Sequence, residues 1–263
     1  MRAEAADLSP GPRQIAVGGE LGYFGTSQDA SDSYLLVPRA GAQYAFDERW
    51  SVAADYGLIA LDSVPDHGSA ESVVRSGNPS LLGLLRGKLG SARYRVGLGG
   101  AVPVAGIDRA GQGRLQHAAF NYAQGSNGLW DVWLWAPSRA AILAYGKLEL
   151  EPDPEVQLEL ELAPAMLIPV YAAWGRNHVD VFVPTAVSVG SKKGPVGFGL
   201  RLQAVVMPTN NVDALQLALV PWLRVHLGRS FIEARYTGNV DEPLAGERGP
   251  RVWGIQLGAG GVL

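Results

Sequence analysis

The chain has 263 residues, enough for one large all-β domain or two ordinary ones. Its net charge is −3, so the composition does not indicate a nucleic-acid surface. It contains no cysteine, which excludes disulfides, thiol catalysis and cysteine-based zinc sites. Only 18% of the residues are charged while 34 are glycine, a balance that suits many strands joined by many turns.

Apolar and polar residues alternate along most of the chain, most clearly in the hairpin joined at Gly90-Ser91. Its second arm carries Tyr94, Val96 and Leu98 on one face and arginine or glycine on the other, as in a strand between two environments. No apolar run of 18 residues occurs, so no transmembrane helix is predicted. Twelve strands are predicted, over residues 14–26, 33–46, 49–62, 78–89, 92–105, 139–151, 155–170, 178–191, 195–207, 213–227, 230–239 and 250–262.

The connections between these strands alternate between long and tight. The tight ones lie at 47–48, 90–91, 152–154, 192–194 and 228–229, and the long ones cover 27–32, 63–77, 107–138, 172–177, 208–212 and 240–249. Such alternation is typical of an up-and-down barrel with extracellular loops at one rim and periplasmic turns at the other. The sequence therefore predicts an all-β fold, a closed antiparallel up-and-down transmembrane β-barrel of about 12 strands.

The barrel is expected to occupy residues 14–263, after a flexible N-terminal segment at 1–13. The predicted location is the bacterial outer membrane, with its lipids as partners. The first residues lack a basic segment followed by an apolar one, so we expect that a signal peptide has been removed from this chain. Retention in the cytoplasm is the alternative. No nucleic-acid partner is predicted, and the sequence does not indicate whether a protein partner exists.

Aromatic residues on the apolar parity fall near the ends of the predicted strands, as in the two aromatic girdles of a membrane barrel. The short-turn group is Tyr44, Phe46, Trp50, Tyr94 and Phe198, and the long-loop group is Tyr23, Tyr34, Tyr236 and Trp253. Two prolines, Pro38 and Pro221, lie inside predicted strands. Each removes a ladder donor, so a bulge or kink is expected at each.

The motif GNPSLLG at Gly77–Gly83, with GLGGAVPVAG at Gly97–Gly106, resembles the Gram-negative outer-membrane β-barrel family of transporters that includes the phenol-degradation-type barrels. The motif match covers about thirty residues, and the alternation of strands with long and tight connections extends the resemblance along the chain. It implies a barrel with a transport role. Such barrels usually end in an aromatic residue, whereas this chain ends in Leu263.

Charged residues on the inward parity form blocks near the short-turn rim. A two-residue turn at Gly90-Ser91 sets Lys88 opposite Arg93 and Arg86 opposite Arg95, and like charges in that position are destabilising unless acidic residues lie close. The predicted lumen set is Arg86, Lys88, Arg93, Arg95, Glu149, Glu151, Glu159, Glu161, Arg224 and Glu233, with Arg224 facing Glu233. This set is either the charged constriction of a pore or a salt-bridged filling of a small lumen.

The connection at 107–138 is long enough to be a lid or plug. It contains a helix-compatible run, Leu115 to Gln124, followed by three tryptophans, Trp130, Trp133 and Trp135. The segment either folds into the lumen as a constriction or lies over the mouth and contacts an apolar solute through its tryptophans. The alternative is that the tryptophans pack on the barrel wall or rest at the outer interface.

The predicted function is an outer-membrane channel or transporter for small solutes, in its narrower form apolar or aromatic ones, with no enzymatic activity, catalytic residue, metal or cofactor. A non-transporting barrel, acting as a scaffold or a surface-recognition protein, is the alternative. A lipid-modifying enzyme is less favoured, because the only His-x-Ser run, His67 to Ser69, lies in a polar loop. His178 and Asp180 lack a third metal ligand in sequence.

Overall fold

The computed structural model describes residues 10–28, 31–65, 71–107, 113–153, 155–170, 178–209, 214–241, 244 and 251–263. The strands are β1 (Ile15–Gln28), β2 (Ser31–Ala45), β3 (Trp50–Pro65), β4 (Glu71–Ser76), β5 (Ser80–Leu89), β6 (Ala92–Ala101), β7 (Arg139–Asp153), β8 (Val156–Leu162), β9 (Ala165–Pro169), β10 (Asp180–Lys193), β11 (Val196–Val206), β12 (Leu215–Leu227), β13 (Ser230–Asn239) and β14 (Arg251–Val262). Helix α1 (Gly113–Ser126) and a 3₁₀ turn (Val132–Trp135) lie between β6 and β7.

All neighbouring strands pair antiparallel, and the sheet closes on itself through the β14–β1 and β10–β11 ladders. Strands β4 and β5 follow one another along β3, and β8 and β9 follow one another between β7 and β10. The fourteen segments therefore form the twelve wall strands of an up-and-down barrel, which confirms the predicted fold. Each of the twelve is called a stave, and β4 with β5, like β8 with β9, makes up one stave. β4 lies within the predicted loop 63–77, because its pairing with β3 extends the hairpin as far as Ser63 and Glu71.

The two faces of the wall differ as the alternation predicts. Exposed apolar side chains cover the outer face of every stave, including Leu21, Leu36, Leu58, Leu81, Leu98, Ile142, Leu160, Val187, Leu202, Leu219, Ile232 and Ile255. Of the nine predicted girdle aromatics, all except Tyr94 are among the exposed large side chains. A closed barrel with an apolar outer wall is a membrane-spanning structure, which confirms the predicted outer-membrane location. Within the described ranges, neither helix has the length and apolarity to span a bilayer.

The tight turns have specific local causes. Gly90 and Gly228 adopt φ of +62° and +66°, a left-handed conformation that an L side chain rarely takes, and space is not limiting at either glycine. At the β2–β3 turn, the N–H groups of Trp50 and Arg49 each donate to Asp47 Oδ1 at 2.7 Å. These hydrogen bonds, that from Trp50 first, hold the pKa of the Asp47 carboxyl below its usual range.

The sequence predicts a bulge or kink at each of the two strand prolines, but no bulge occurs at either. The β2–β3 register is the same on both sides of Pro38, and the β12–β13 register is the same on both sides of Pro221. Each proline only interrupts the pairing with one neighbour, while the other ladder runs through it as Leu21–Pro38 and Leu200–Pro221. A proline nitrogen removes one donor, and a barrel stave with two neighbours tolerates that loss.

The N-terminal end of the described chain lies at the short-turn rim. The predicted flexible segment 1–13 falls mostly on residues 1–9, which are outside the described part. Of the remainder, Pro10 is buried, and the Arg13 N–H donates to the Ala45 carbonyl at 2.8 Å. The barrel itself begins at Ile15, one residue after the predicted boundary.

Candidate functional site

The long connection between β6 and β7 folds back into the barrel. We call residues 113–138 the plug. Its three tryptophans, Trp130, Trp133 and Trp135, are at most 2% exposed. The Trp135 ring lies against Gly57 and Gly77, and Gly128 approaches Ala218 on the other side of the lumen. Of the alternatives that the sequence left open, the structure shows a segment inside the lumen, with tryptophans that pack on the inner wall.

Helix α1 presents one face to this interior. Its buried side chains include Gln116, Ala119, Phe120 and Ala123, a spacing that places them on a single stripe of an α-helix. The stripe belongs to one apolar cluster with the inner wall of β2 to β9, which contributes Leu35, Val37, Ile59, Leu61, Val73, Leu82, Leu84, Leu143 and Leu167. The long-loop half of the lumen is therefore packed like a protein core on this side.

Two consecutive plug residues reach nearly opposite walls. The Arg201 guanidinium on β11 lies over the Trp130 ring, with its Cζ 4.1 Å from the ring centroid. Asp131 Oδ2 accepts a hydrogen bond from Arg39 Nη1 on β2, and both side chains are buried. Arg201 also pairs with Glu161 and donates to Gln203 Oε1 at 2.9 Å. Charged groups on two nearly opposite walls therefore fix the middle of the plug across the lumen.

Asn78, in the GNPSLLG motif, fixes the C-terminal end of the plug. Its Nδ2 donates to the Trp133 carbonyl at 3.0 Å and the Ala136 carbonyl at 2.8 Å, and its Oδ1 accepts from the Ala105 N–H at 2.7 Å. Its own N–H donates to the Leu134 carbonyl at 2.7 Å. The Gly77 N–H still donates to the Gly57 carbonyl of β3 at 2.8 Å, but the Asn78 N–H binds the plug and Pro79 has no N–H, so the ladder with β3 is interrupted between β4 and β5. A side chain at Gly77 would meet Leu134 and Trp135.

The short-turn half of the lumen is charged instead of apolar. Lys88 faces Arg93 and Arg86 faces Arg95, as predicted. Arg93 pairs with Glu149 at 3.1 Å and Glu151 at 2.6 Å. Buried Lys147 lies 3.3 Å from Glu149 and 3.2 Å from Glu159, and so separates two carboxylates that face each other across the ladder. The acidic residues of β7 and β8 do neutralise part of the basic block.

On the opposite wall, charges of alternating sign form a chain. Arg224 faces Glu233 and pairs with it at 2.6 Å, as predicted. Glu233 also binds Arg235 at 3.1 Å, and Arg235 in turn pairs with Glu20. The residues that were not predicted as part of the site are Arg235, Glu20, Lys147, Arg201 and the Arg39–Asp131 pair. The inward parity of a charged residue on a strand was the available signal for all of them except Asp131.

The other chemical candidates do not form a site. His67 and Ser69 lie outside the described residues. His178 Nε2 is 2.9 Å from Asp180 Oδ1, but Arg139 Nη1 lies 2.6 Å from the same carboxylate and neutralises it. Among the described residues, no group of three potential metal ligands occurs.

Known structures place this architecture among outer-membrane proteins. An outer-membrane channel from Pseudomonas putida F1 has 11% identity and a TM-score of 0.64, with 97% of this chain and 98% of that chain covered. The fold is that of an outer-membrane β-barrel. The β domain of the Bordetella autotransporter BrkA has 10% identity and a TM-score of 0.55 (95% and 99% covered), and the transport unit of the Escherichia coli autotransporter AIDA-I has 8% and 0.51 (94% and 89% covered).

No family model matches the chain, and no curated protein matches it. The structural similarity to outer-membrane barrels confirms, at the level of the fold, the resemblance inferred from GNPSLLG. The motif itself has a structural role in this chain, because Asn78 donates hydrogen bonds to the plug and Gly77 leaves space for Leu134 and Trp135.

Proposed function

We propose that this barrel is an outer-membrane channel for small solutes and that the plug controls access to it. The observation that carries the proposal is the plug itself. It lies inside the barrel, where apolar packing against the inner wall and polar contacts at Arg39, Arg201 and Asn78 hold it. Both connections of the plug are at the long-loop rim, so its displacement breaks apolar packing and side-chain contacts but none of the ladders that close the barrel. That is the property that a gate requires.

The narrower proposal, an apolar or aromatic solute, is supported by the wall that the plug covers. The inner faces of β2 to β9 carry leucine, isoleucine and valine where most barrel lumens are polar. Displacement of the plug uncovers this wall together with Trp130, Trp133 and Trp135, the predicted solute contacts. An apolar surface lined by aromatic rings binds small hydrocarbons in preference to sugars or ions.

A second candidate is a barrel that does not transport and serves as a scaffold or recognition surface. It is supported by the ion pairs inside the lumen, Arg201–Glu161, Arg235–Glu20 and Arg224–Glu233. Such pairs also stabilise a permanently filled interior. The two candidates differ in whether the plug moves.

Planar-bilayer recording distinguishes them. Three forms are compared: the wild type, Asn78→Ala, and a variant with a short Gly-Ser linker in place of residues 107–138, which joins strands that are already paired at Ala101 and Ala141. A channel predicts intermittent openings of the wild type, more frequent ones in Asn78→Ala and continuous conductance in the linker variant, whereas a permanently filled barrel conducts only as the linker variant. Benzyl alcohol, but not glycerol, should then block the open variants. Absence of conductance in all three forms, each shown to be folded by heat-modifiable gel mobility, would contradict the channel.

A further inference from the structure

The short-turn end of the lumen contains a cavity of about 620 Å³, a volume in the range of small-molecule sites. The charged residues that line it are Glu48, Arg49, Arg86, Lys88, Arg93, Arg95, Lys147 and Glu149. Six of them are basic and two are acidic. Two further carboxylates, Glu151 and Glu159, bind Arg93 and Lys147. Asp47 also acts on Arg86, and the basic residues still outnumber the acidic ones when all three are counted. Glu161, which faces Lys147 on β8, is paired with Arg201.

The register concentrates this charge instead of dispersing it. Arg86, Arg95 and Lys147 lie side by side on three successive strands, because Arg86 faces Arg95 and Arg95 faces Lys147. Like charges directly opposite one another destabilise a sheet. The wall formed by β12, β13 and β1 shows the arrangement that a structural filling adopts, since Arg224, Glu233, Arg235 and Glu20 alternate in sign. The basic wall departs from that arrangement.

The Arg86 side chain is positioned without being neutralised by these contacts. Its Nε donates to the Glu48 carbonyl at 2.8 Å, and its Nη2 donates to the Pro10 carbonyl at 2.7 Å. Carbonyl groups orient a guanidinium but leave its full charge. Lys147, only 6% exposed, is a further cation at the same depth, and it is already paired with Glu149 and Glu159. An anion in the cavity would offset the repulsion between Arg86 and Arg95.

We infer that this cavity is a binding site for a small organic anion, held through its carboxylate by the cations of β5 and β6. As a statement about the transported solute, the inference rests on the proposed channel function. As a statement about binding, it stands without that function. The site lies at the periplasmic end of the lumen, where a solute that has passed the plug is released. In this site, the carboxylate would be bound by Arg86, Lys88, Arg93 and Arg95, which would then do more than fill the interior.

Equilibrium dialysis of the full-length protein in a non-ionic detergent at low salt tests the site, with benzoate as the probe and benzamide as its neutral isostere. Wild type should bind benzoate at least about tenfold more tightly than benzamide, and the double variant Arg86→Gln/Lys88→Gln should lose about tenfold in benzoate affinity. Arg229→Gln is the matched control. It removes a positive charge from the same rim, six staves away, and should leave the affinity within about twofold.

Equal binding of benzoate and benzamide, or unchanged benzoate affinity in the double variant, would overturn the inference. So would the same loss in Arg229→Gln, since it would indicate a diffuse effect of net charge. Gel mobility before and after heating shows which variants are folded, and Lys88→Gln alone, at an exposed position, provides a milder test. Benzoate binding without conductance would retain the site and contradict the channel.

Discussion

Arg201 lies over the ring of Trp130, with its guanidinium carbon 4.1 Å from the ring centroid. The contact joins the wall of the barrel to the middle of the plug. The next residue along the chain, Asp131, binds Arg39 on the far side of the lumen. Because these contacts attach adjacent residues to nearly opposite walls, the plug is fixed across the diameter of the barrel.

Asn78→Ala should loosen the plug without disrupting the barrel wall. The substitution removes the side-chain hydrogen bonds to the carbonyls of Trp133 and Ala136 and to the Ala105 N–H, and buried groups left unpaired cost about 1–3 kcal/mol. We expect the plug to become more sensitive to added protease by about tenfold. Asn121→Ala, on the exposed face of α1, is the matched control, with no expected change. Equal protease sensitivity of both variants would contradict a clamp at Asn78.

The Arg39–Asp131 pair should show strong coupling in a double-mutant cycle. Removal of one partner leaves a buried charge, and we expect Arg39→Met or Asp131→Asn alone to destabilise the plugged state by about 3–5 kcal/mol. The double variant should lose much less than the sum of the two. Urea titration of protein folded in liposomes measures each value. Additive losses would show that the two groups do not interact.

The location of the tryptophans predicts how they respond to brominated lipid. Trp50 is 53% exposed on the outer wall, whereas Trp133 is buried inside the lumen. Brominated acyl chains quench only rings that contact lipid. Trp50→Phe should therefore reduce the fraction of quenched emission, while Trp133→Phe should leave it unchanged or raise it. A reduced fraction in Trp133→Phe would place the plug outside the barrel.

A charge on the outer wall should destabilise the barrel according to its depth. Val187 lies near the middle of β10, and Leu227 is the last residue of β12 at the short-turn rim. In a bilayer, Val187→Arg should cost about 2–4 kcal/mol in unfolding free energy and Leu227→Arg about 0–1 kcal/mol. Urea titration in liposomes gives both numbers. Similar costs at the two positions would contradict a membrane-spanning wall.

The barrel wall could be predicted from sequence because its determinants are local. Alternation in β6 predicts that Arg93 and Arg95 point into the lumen. A two-residue turn at Gly90-Ser91 then determines which residues of β6 lie opposite Arg86 and Lys88. The same reasoning paired Arg224 with Glu233. The strand prolines show its limit, because the loss of one donor predicts a defect but does not say whether the neighbouring strand has to shift.

The plug could not be predicted to the same depth. Arg39 and Asp131 are separated by 92 positions in sequence, and parity indicates that Arg39 points inward without identifying its partner. Three clustered tryptophans fit a lumen or a membrane interface equally well. The GNPSLLG motif indicated a family of folds. Its asparagine acquires a role only when the carbonyls of Trp133 and Ala136 are seen to converge on it.

Both ends of the plug leave the barrel at the same rim, where β6 ends at Ala101 and β7 begins at Arg139. In bacterial barrels the rim with long loops faces the outside of the cell. Under the proposed gating, displacement toward the long-loop rim requires no passage of the plug through the charged half of the lumen. The open state would display the tryptophans and α1 to the surroundings, where an antibody or a phage protein could recognise them. The state of the lumen would thus be readable from the surface of an intact cell.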